Sequence, residues 1–216
     1  MSLVQAVITE KFILVGADSR GIHPDGKISE TCNKLLKLNK NVIFGCTGGI
    51  LDNFKLFDGY CYYSDELGLC YPEKEFNITY NAFVESISNK FNIMLKEQHN
   101  EKYAHKYEIC SMICGYNGEE FEATTFSLGA KHNYPDGIIK VTKAIDFPYK
   151  GINAGERIHM ENLHNLVYKY HMKYGNISIL QYKNIMHEVF EKGEKFDLTI
   201  NSNVHFENIK KKDVVI

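Results

Sequence analysis

A metal site in this chain would draw on its nine histidines and six cysteines. None of the histidines forms a His-Glu-x-x-His motif or joins a cysteine at zinc-ligand spacing. His164 and His171 are seven apart on a predicted helix and share a face, but their neighbours are Lys, Tyr and Asn, the residues of a solvated surface. Cys110 and Cys114 lie in Ile-Cys-Ser-Met-Ile-Cys, which reads as a buried strand. Residues four apart on a strand point to the same side, so both thiols read as core. The remaining cysteines (Cys32, Cys46, Cys61 and Cys70) sit in core-like segments, and reduced thiols are expected throughout. No Gly-x-x-x-x-Gly-Lys-Ser/Thr loop is present to cradle a nucleotide. The sequence therefore implies no metal and no cofactor, and energy-dependent work would fall to a separate ATPase partner.

Composition narrows the rest. The 216 residues are 44% hydrophobic, enough for one domain spanning 1–216 with a sizeable core. A net charge of −2 supplies no field to attract nucleic acid or anionic lipid. The one dense basic run, Lys210–Lys211–Lys212, reads as a solvated tail. No apolar stretch reaches the roughly 20 residues that cross a bilayer, and Met-Ser-Leu-Val-Gln-Ala lacks the pattern of a secretory leader. No nucleic-acid or membrane partner is expected, and the expected location is the cytoplasm.

Any active residues must be positioned by the elements the pattern predicts. Leu3–Ile8 and Phe12–Ala17 read as a strand pair, as do Lys34–Leu38 and Asn41–Cys46, after which Gly48–Gly49 breaks the pattern. Two helices follow, over about 50–63 and 79–98; in the second, Phe83, Val84, Ile87, Phe91, Met94 and Leu95 form one stripe. Two strands flank Asn117–Gly118, a strong hairpin signal, and 138–142 and 144–149 read as further strands. A second helix pair carries Met160, Leu163, Val167 and Tyr170 on one face and Tyr182, Ile185, Met186 and Val189 on the other's. Phe196–Phe206 reads as a last strand or hairpin. Strands and helices in segregated runs predict an α+β fold: a four-layer α-β-β-α sandwich of two antiparallel sheets flanked by helix pairs.

Gly16–Ala17–Asp18–Ser19–Arg20, then Lys34, then Phe44–Gly45–Cys46–Thr47–Gly48–Gly49 and Asp52 resemble the proteasome β-type family, a group of N-terminal nucleophile hydrolases. The landmarks keep the family's order and intervals without gaps over about fifty residues. Ser111–Tyr116 extends the likeness to the middle of the chain, and beyond about residue 125 only element order matches. The family's nucleophile is an N-terminal Thr sixteen positions before the motif Asp. Here that position is Ser2, exposed as the first residue once Met1 is removed. A hydroxyl needs a base to take its proton, and the adjacent α-amine, with a reference pKa of about 7.7–8.0, can serve. The resemblance implies that Lys34 lowers the pKa of the site, that Asp18 holds Lys34, and that the Gly48 N–H receives the oxyanion. Arg20 is an accessory candidate.

Two departures mark the second half. The family's accessory Gly-Ser-Gly is matched by Asn153–Ala154–Gly155, with Ala in place of Ser. Its Asp and Ser, three apart before the last strand, are met by Glu191–Lys192–Gly193–Glu194, in which Glu191 is the accessory candidate for the Asp. The resemblance thus implies a hydrolase of amide bonds, acting on a peptide or amide substrate and assembled as a homo-oligomer, with a ring as the family's usual form. A catalytically inactive proteasome-like subunit or scaffold, and an amidase of the same class acting on a small molecule, remain alternatives.

Overall fold

The computed structural model describes residues 3–22, 26–48, 50–64, 67–72, 76–100, 107–129, 136–142, 149–154 and 157–214. The elements run β1 (Val4–Ile8), β2 (Phe12–Asp18), β3 (Gly21–Ile22), β4 (Ile28–Ser29), β5 (Leu35–Lys37), β6 (Val42–Thr47) and α1 (Ile50–Phe57). They continue with β7 (Tyr62–Ser64), β8 (Gly68–Cys70), α2 (Tyr80–Gln98), β9 (Ile109–Tyr116), β10 (Phe121–Leu128) and β11 (Gly137–Thr142). The last are β12 (Lys150–Ala154), α3 (Arg157–Tyr174), α4 (Ile179–Glu194) and β13 (Val204–Lys210).

Two antiparallel sheets carry most of the strands, in the orders β12-β1-β2-β13 and β11-β10-β9-β6-β5. Both have apolar residues on both faces, so both must be covered twice. In β2, Ile13, Val15 and Ala17 join one apolar cluster with Val4, Ala6 and Ile8 of β1 and with Ile43, Cys110, Met112 and Cys114 of the other sheet. Leu14 and Val7 point the opposite way, against Leu163, Val167, Ile185, Met186 and Val189 of α3 and α4. Phe44, Ile113 and Phe126 of the five-stranded sheet pack with Phe57, Phe83, Ile87 and Phe91 of α1 and α2. The helical stripes expected from spacing are these buried faces. Each fully buried Leu, Ile or Phe contributes about 1.5–3 kcal/mol.

Local chemistry sets the boundaries. Thr79 caps α2 by accepting from Ala82 N–H, and Ser178 and Gln181 form a capping box on α4. The first helix is shorter than expected: it stops at Phe57, and the chain turns through Gly59 at φ 87°, a left-handed value that suits glycine, before β7 begins. The last strand starts at Val204 rather than Phe196, because 196–203 is occupied by turns described below. Asn117 joins β9 to β10 through a longer connection than its dipeptide suggests, its Oδ1 accepting from Glu119 N–H and Glu120 N–H. The strand expected over 144–149 falls almost wholly outside the described residues.

Candidate active site

The register of the four-stranded sheet brings the start of the chain to the end of β2. Val4 lies opposite Ala17, so Leu3 lies beside Asp18. Leu3 N–H donates to Asp18 Oδ1 at 2.7 Å, and Asp18 N–H donates back to Leu3 O at 3.2 Å. Lys34, just before β5 in the other sheet, reaches across the inter-sheet layer: its Nζ donates to Asp18 Oδ2 at 2.7 Å. The two side chains are 4% and 0% exposed. Arg20 N–H adds a third donor to the carboxylate at 3.1 Å. Burial raises the Asp18 carboxyl above the usual carboxylate range, and the Lys34 ammonium and the Leu3 and Arg20 N–H groups offset only part of that rise. A buried ion pair persists only when its remaining hydrogen-bonding capacity is met, and three donors on one carboxylate meet it.

Gly48 sits at the same end of the structure. Leu35 pairs with Gly45 across β5 and β6, and Cys46 N–H donates to Lys34 O at 3.0 Å. Two residues on, the chain leaves β6 at Gly48, exposed and at φ 77°, a conformation that suits glycine. Gly49 lies outside the described residues, as does Ser2; the chain before Leu3 attaches at the nitrogen that Asp18 holds.

Arg20 is a brace. Its Nε donates to Glu30 at 3.0 Å, and its Nη1 donates to the carbonyls of Leu198 at 2.8 Å and Ile200 at 3.0 Å. Its Nη2 lies 3.5 Å from Glu194. Ser19 works beside it, its hydroxyl within donating distance of Glu30 O at 2.7 Å and Asn203 O at 2.8 Å, its one proton serving either, with Asn201 Oδ1 accepting from Ser19 N–H. Asn201 Nδ2 closes the circuit on Glu30 at 2.6 Å, and that bond, with Arg20, holds the Glu30 carboxyl below the usual range. These bonds tie the 196–203 turns to the end of β2.

Glu191 is not brought to this group. It is exposed on α4 and paired with His187 at 3.3 Å, while Glu194, one turn on, meets Arg20. The turns hold a further carboxylate, Asp197, outside the residues that the resemblance implies. It accepts from Thr199 N–H and from the Thr199 hydroxyl at 2.6 Å. Asp-x-Thr between a helix and a strand was the available signal. Asn53 and Asn201 give no such signal, since their importance rests on the groups they bind rather than on neighbours in sequence, and Ser19 stands in the Gly16–Arg20 landmark without a role of its own. Of the accessory tripeptide, Asn153 and Ala154 lie on β12 opposite Gln5 and Val4, and Gly155 is outside the described residues.

The six cysteines are free thiols. Burial pushes Cys32, Cys46 and Cys114 above the ordinary thiol range and Cys61 up to about 12, which keeps them neutral and poor nucleophiles. Among the described residues no group of three or more His, Cys, Asp or Glu could hold a metal ion, and no helix is long and apolar enough to cross a membrane.

No family model and no curated protein sequence matches the chain. Its shape does match: a crystal structure of eukaryotic HslV from Trypanosoma brucei superposes with a TM-score of 0.59 at 13% identity, covering 96% of this chain and 99% of that one. The described residues, with two antiparallel sheets and their helices, thus have the fold of HslV.

Proposed function

We propose that this chain is a proteasome-like N-terminal nucleophile hydrolase that cleaves amide bonds, in peptides first, through Ser2 after removal of Met1. The observation that carries the reading is the buried Lys34–Asp18 pair, whose carboxylate also holds the N–H of Leu3, the residue next to the proposed nucleophile. The HslV-like fold supports it. In the proposed reaction the Ser2 hydroxyl proton passes to the α-amine and the oxygen attacks the substrate carbonyl carbon. The oxyanion is received by Gly48 N–H, and the Lys34 cation favours the charged states along the way. The C–N bond then breaks as the leaving amine takes the proton, and water hydrolyses the acyl-enzyme.

The same reading takes 1–216 as one domain in a four-layer α-β-β-α arrangement. It takes the active form as a homo-oligomer, in a ring, in the cytoplasm, with an ATPase as a separate partner. Large apolar side chains left in water support assembly: Phe196 is 90% exposed and Leu198 83%, with Met172, Tyr168 and Leu180 exposed on the α3–α4 side. The second reading is a non-catalytic subunit of the same shape, favoured by Ala154 at the accessory serine position and by Glu191 pairing away from Asp18. Hydrolysis of short peptide amides by Met1-free protein separates the two. Ser2→Ala should abolish it and Ser2→Thr retain it; a Ser2→Ala protein as fast as wild type would remove Ser2 as the nucleophile, and a folded, Met1-free wild type that hydrolyses nothing would leave the inactive reading standing.

A further inference from the structure

Asn53 is wholly buried in the first turns of α1, yet its carboxamide is bonded to backbone on both sides. Its Nδ2 donates to Thr47 O at 2.9 Å. Its Oδ1 accepts from Cys110 N–H at 3.1 Å and from the Ser111 hydroxyl, both on β9. Asp52 adds a parallel tie, accepting Glu108 N–H at 3.0 Å. Thr47 is the last residue of β6, opposite Cys110 in the ladder. The Thr47 carbonyl and the Gly48 N–H belong to one peptide unit, which is planar and trans, so the two groups point in opposite directions. A donor that grips the carbonyl from the core therefore fixes the direction of the N–H on the exposed side. Gly48, at φ 77°, supplies no side chain that would hold the plane by itself.

We infer that Asn53 is a positioning residue for the Gly48 N–H, aiming it before any substrate arrives. The inference rests on the proposal that Gly48 N–H receives the oxyanion. The Ser111 hydroxyl orients the carboxamide so that its nitrogen, not its oxygen, faces Thr47. Hydrogen bonding at the carbonyl also polarises the peptide unit and makes its N–H a better donor. A charged residue here would carry a field into the apolar layer of α1 and α2; a neutral amide aims the donor without one.

The test compares wild type, Asn53→Ala and Asn53→Asp. The aspartate variant keeps the volume and the acceptor for Cys110 and Ser111 but removes the donor, so it remains informative if the alanine variant does not fold. Crystal structures of the three should show the Thr47–Gly48 peptide rotated in the variants, with β6 and α1 otherwise in place. On a peptide amide, kcat should fall about 10–100-fold with KM within about threefold, less than the 10²–10³-fold for outright loss of an oxyanion donor. An unmoved peptide, or a kcat within twofold of wild type in a folded variant, overturns the inference. A wild type that neither turns over nor forms an adduct overturns the hydrolase reading instead, and the crystal comparison still decides what Asn53 does.

Discussion

Two buried polar anchors flank the proposed site, one charged and one neutral. At the end of β2, Asp18 and Lys34 pair between the sheets, and the carboxylate holds the Leu3 N–H. At the end of β6, Asn53 holds the Thr47 carbonyl and two groups of β9 without a formal charge. Both use a buried side chain to fix a backbone group next to a proposed catalytic residue. The difference lies in what happens when one partner is lost. Removing Lys34 strands a carboxylate in an apolar layer, whereas removing Asn53 strands neutral amide and hydroxyl groups. The charged anchor suits a site where protons must move; the neutral one suits a site where a dipole must only be aimed.

The largest expected effect therefore belongs to Lys34. Lys34→Ala should destabilise the fold by about 3–5 kcal/mol, lowering the melting temperature by roughly 10 °C, and should abolish turnover. Adding Asp18→Asn should recover part of the stability and none of the activity. Thermal melts of the three proteins test the pair as a pair, and a Lys34→Ala protein that melts like wild type would remove the contrast. Asn53→Ala follows, at about 1–3 kcal/mol for the unpaired groups, read by chemical denaturation. Asn53→Ala destabilising more than Lys34→Ala would invert the comparison.

Arg20→Lys comes next. A lysine cannot reproduce the fork that meets Glu30 and two carbonyls at once. A loss of about 1–2 kcal/mol is expected, together with faster proteolysis within 196–203, which limited digestion would read. Digestion at the wild-type rate would mean the turns hold themselves.

The smallest effect is a pH dependence away from the site. His164 Nδ1 lies 2.6 Å from the Tyr149 hydroxyl, and burial and the Lys150 cation lower the His164 pKa. With the folded value below the unfolded one, the unfolded chain takes up the proton first. Stability is then full above about pH 6.5 and is lost as pH falls through the folded value. Melting curves between pH 5 and 8 should show this slope flattened in His164→Gln.

What could be read in the sequence follows from how far each signal reaches. The stripes of α2, α3 and α4 were legible because burial imposes a helical period on consecutive residues. The Asp18–Lys34 pairing was legible only through the resemblance, since a separation of sixteen positions gives no local hint that the two side chains meet. The end of the first helix was not, because Gly59 reads as a tolerated helical glycine until its backbone is known to be left-handed. The 196–203 turns read as strand in the sequence because their organisers, Arg20 and Ser19, lie some 180 residues away. Asn53 looked like one polar residue in an amphipathic turn.

The central claim concerns Ser2, and intact mass spectrometry of untagged, natively expressed protein tests it most directly. The sample is measured before and after exposure to an electrophile selective for N-terminal Ser and Thr nucleophiles. The account predicts a mass lacking Met1, a single adduct mapping to Ser2, and no adduct in Lys34→Ala protein that is still folded. Retained Met1, or a Met1-free wild type that stays unlabelled while folded, would contradict it and leave the Lys34–Asp18 pair as a structural ion pair.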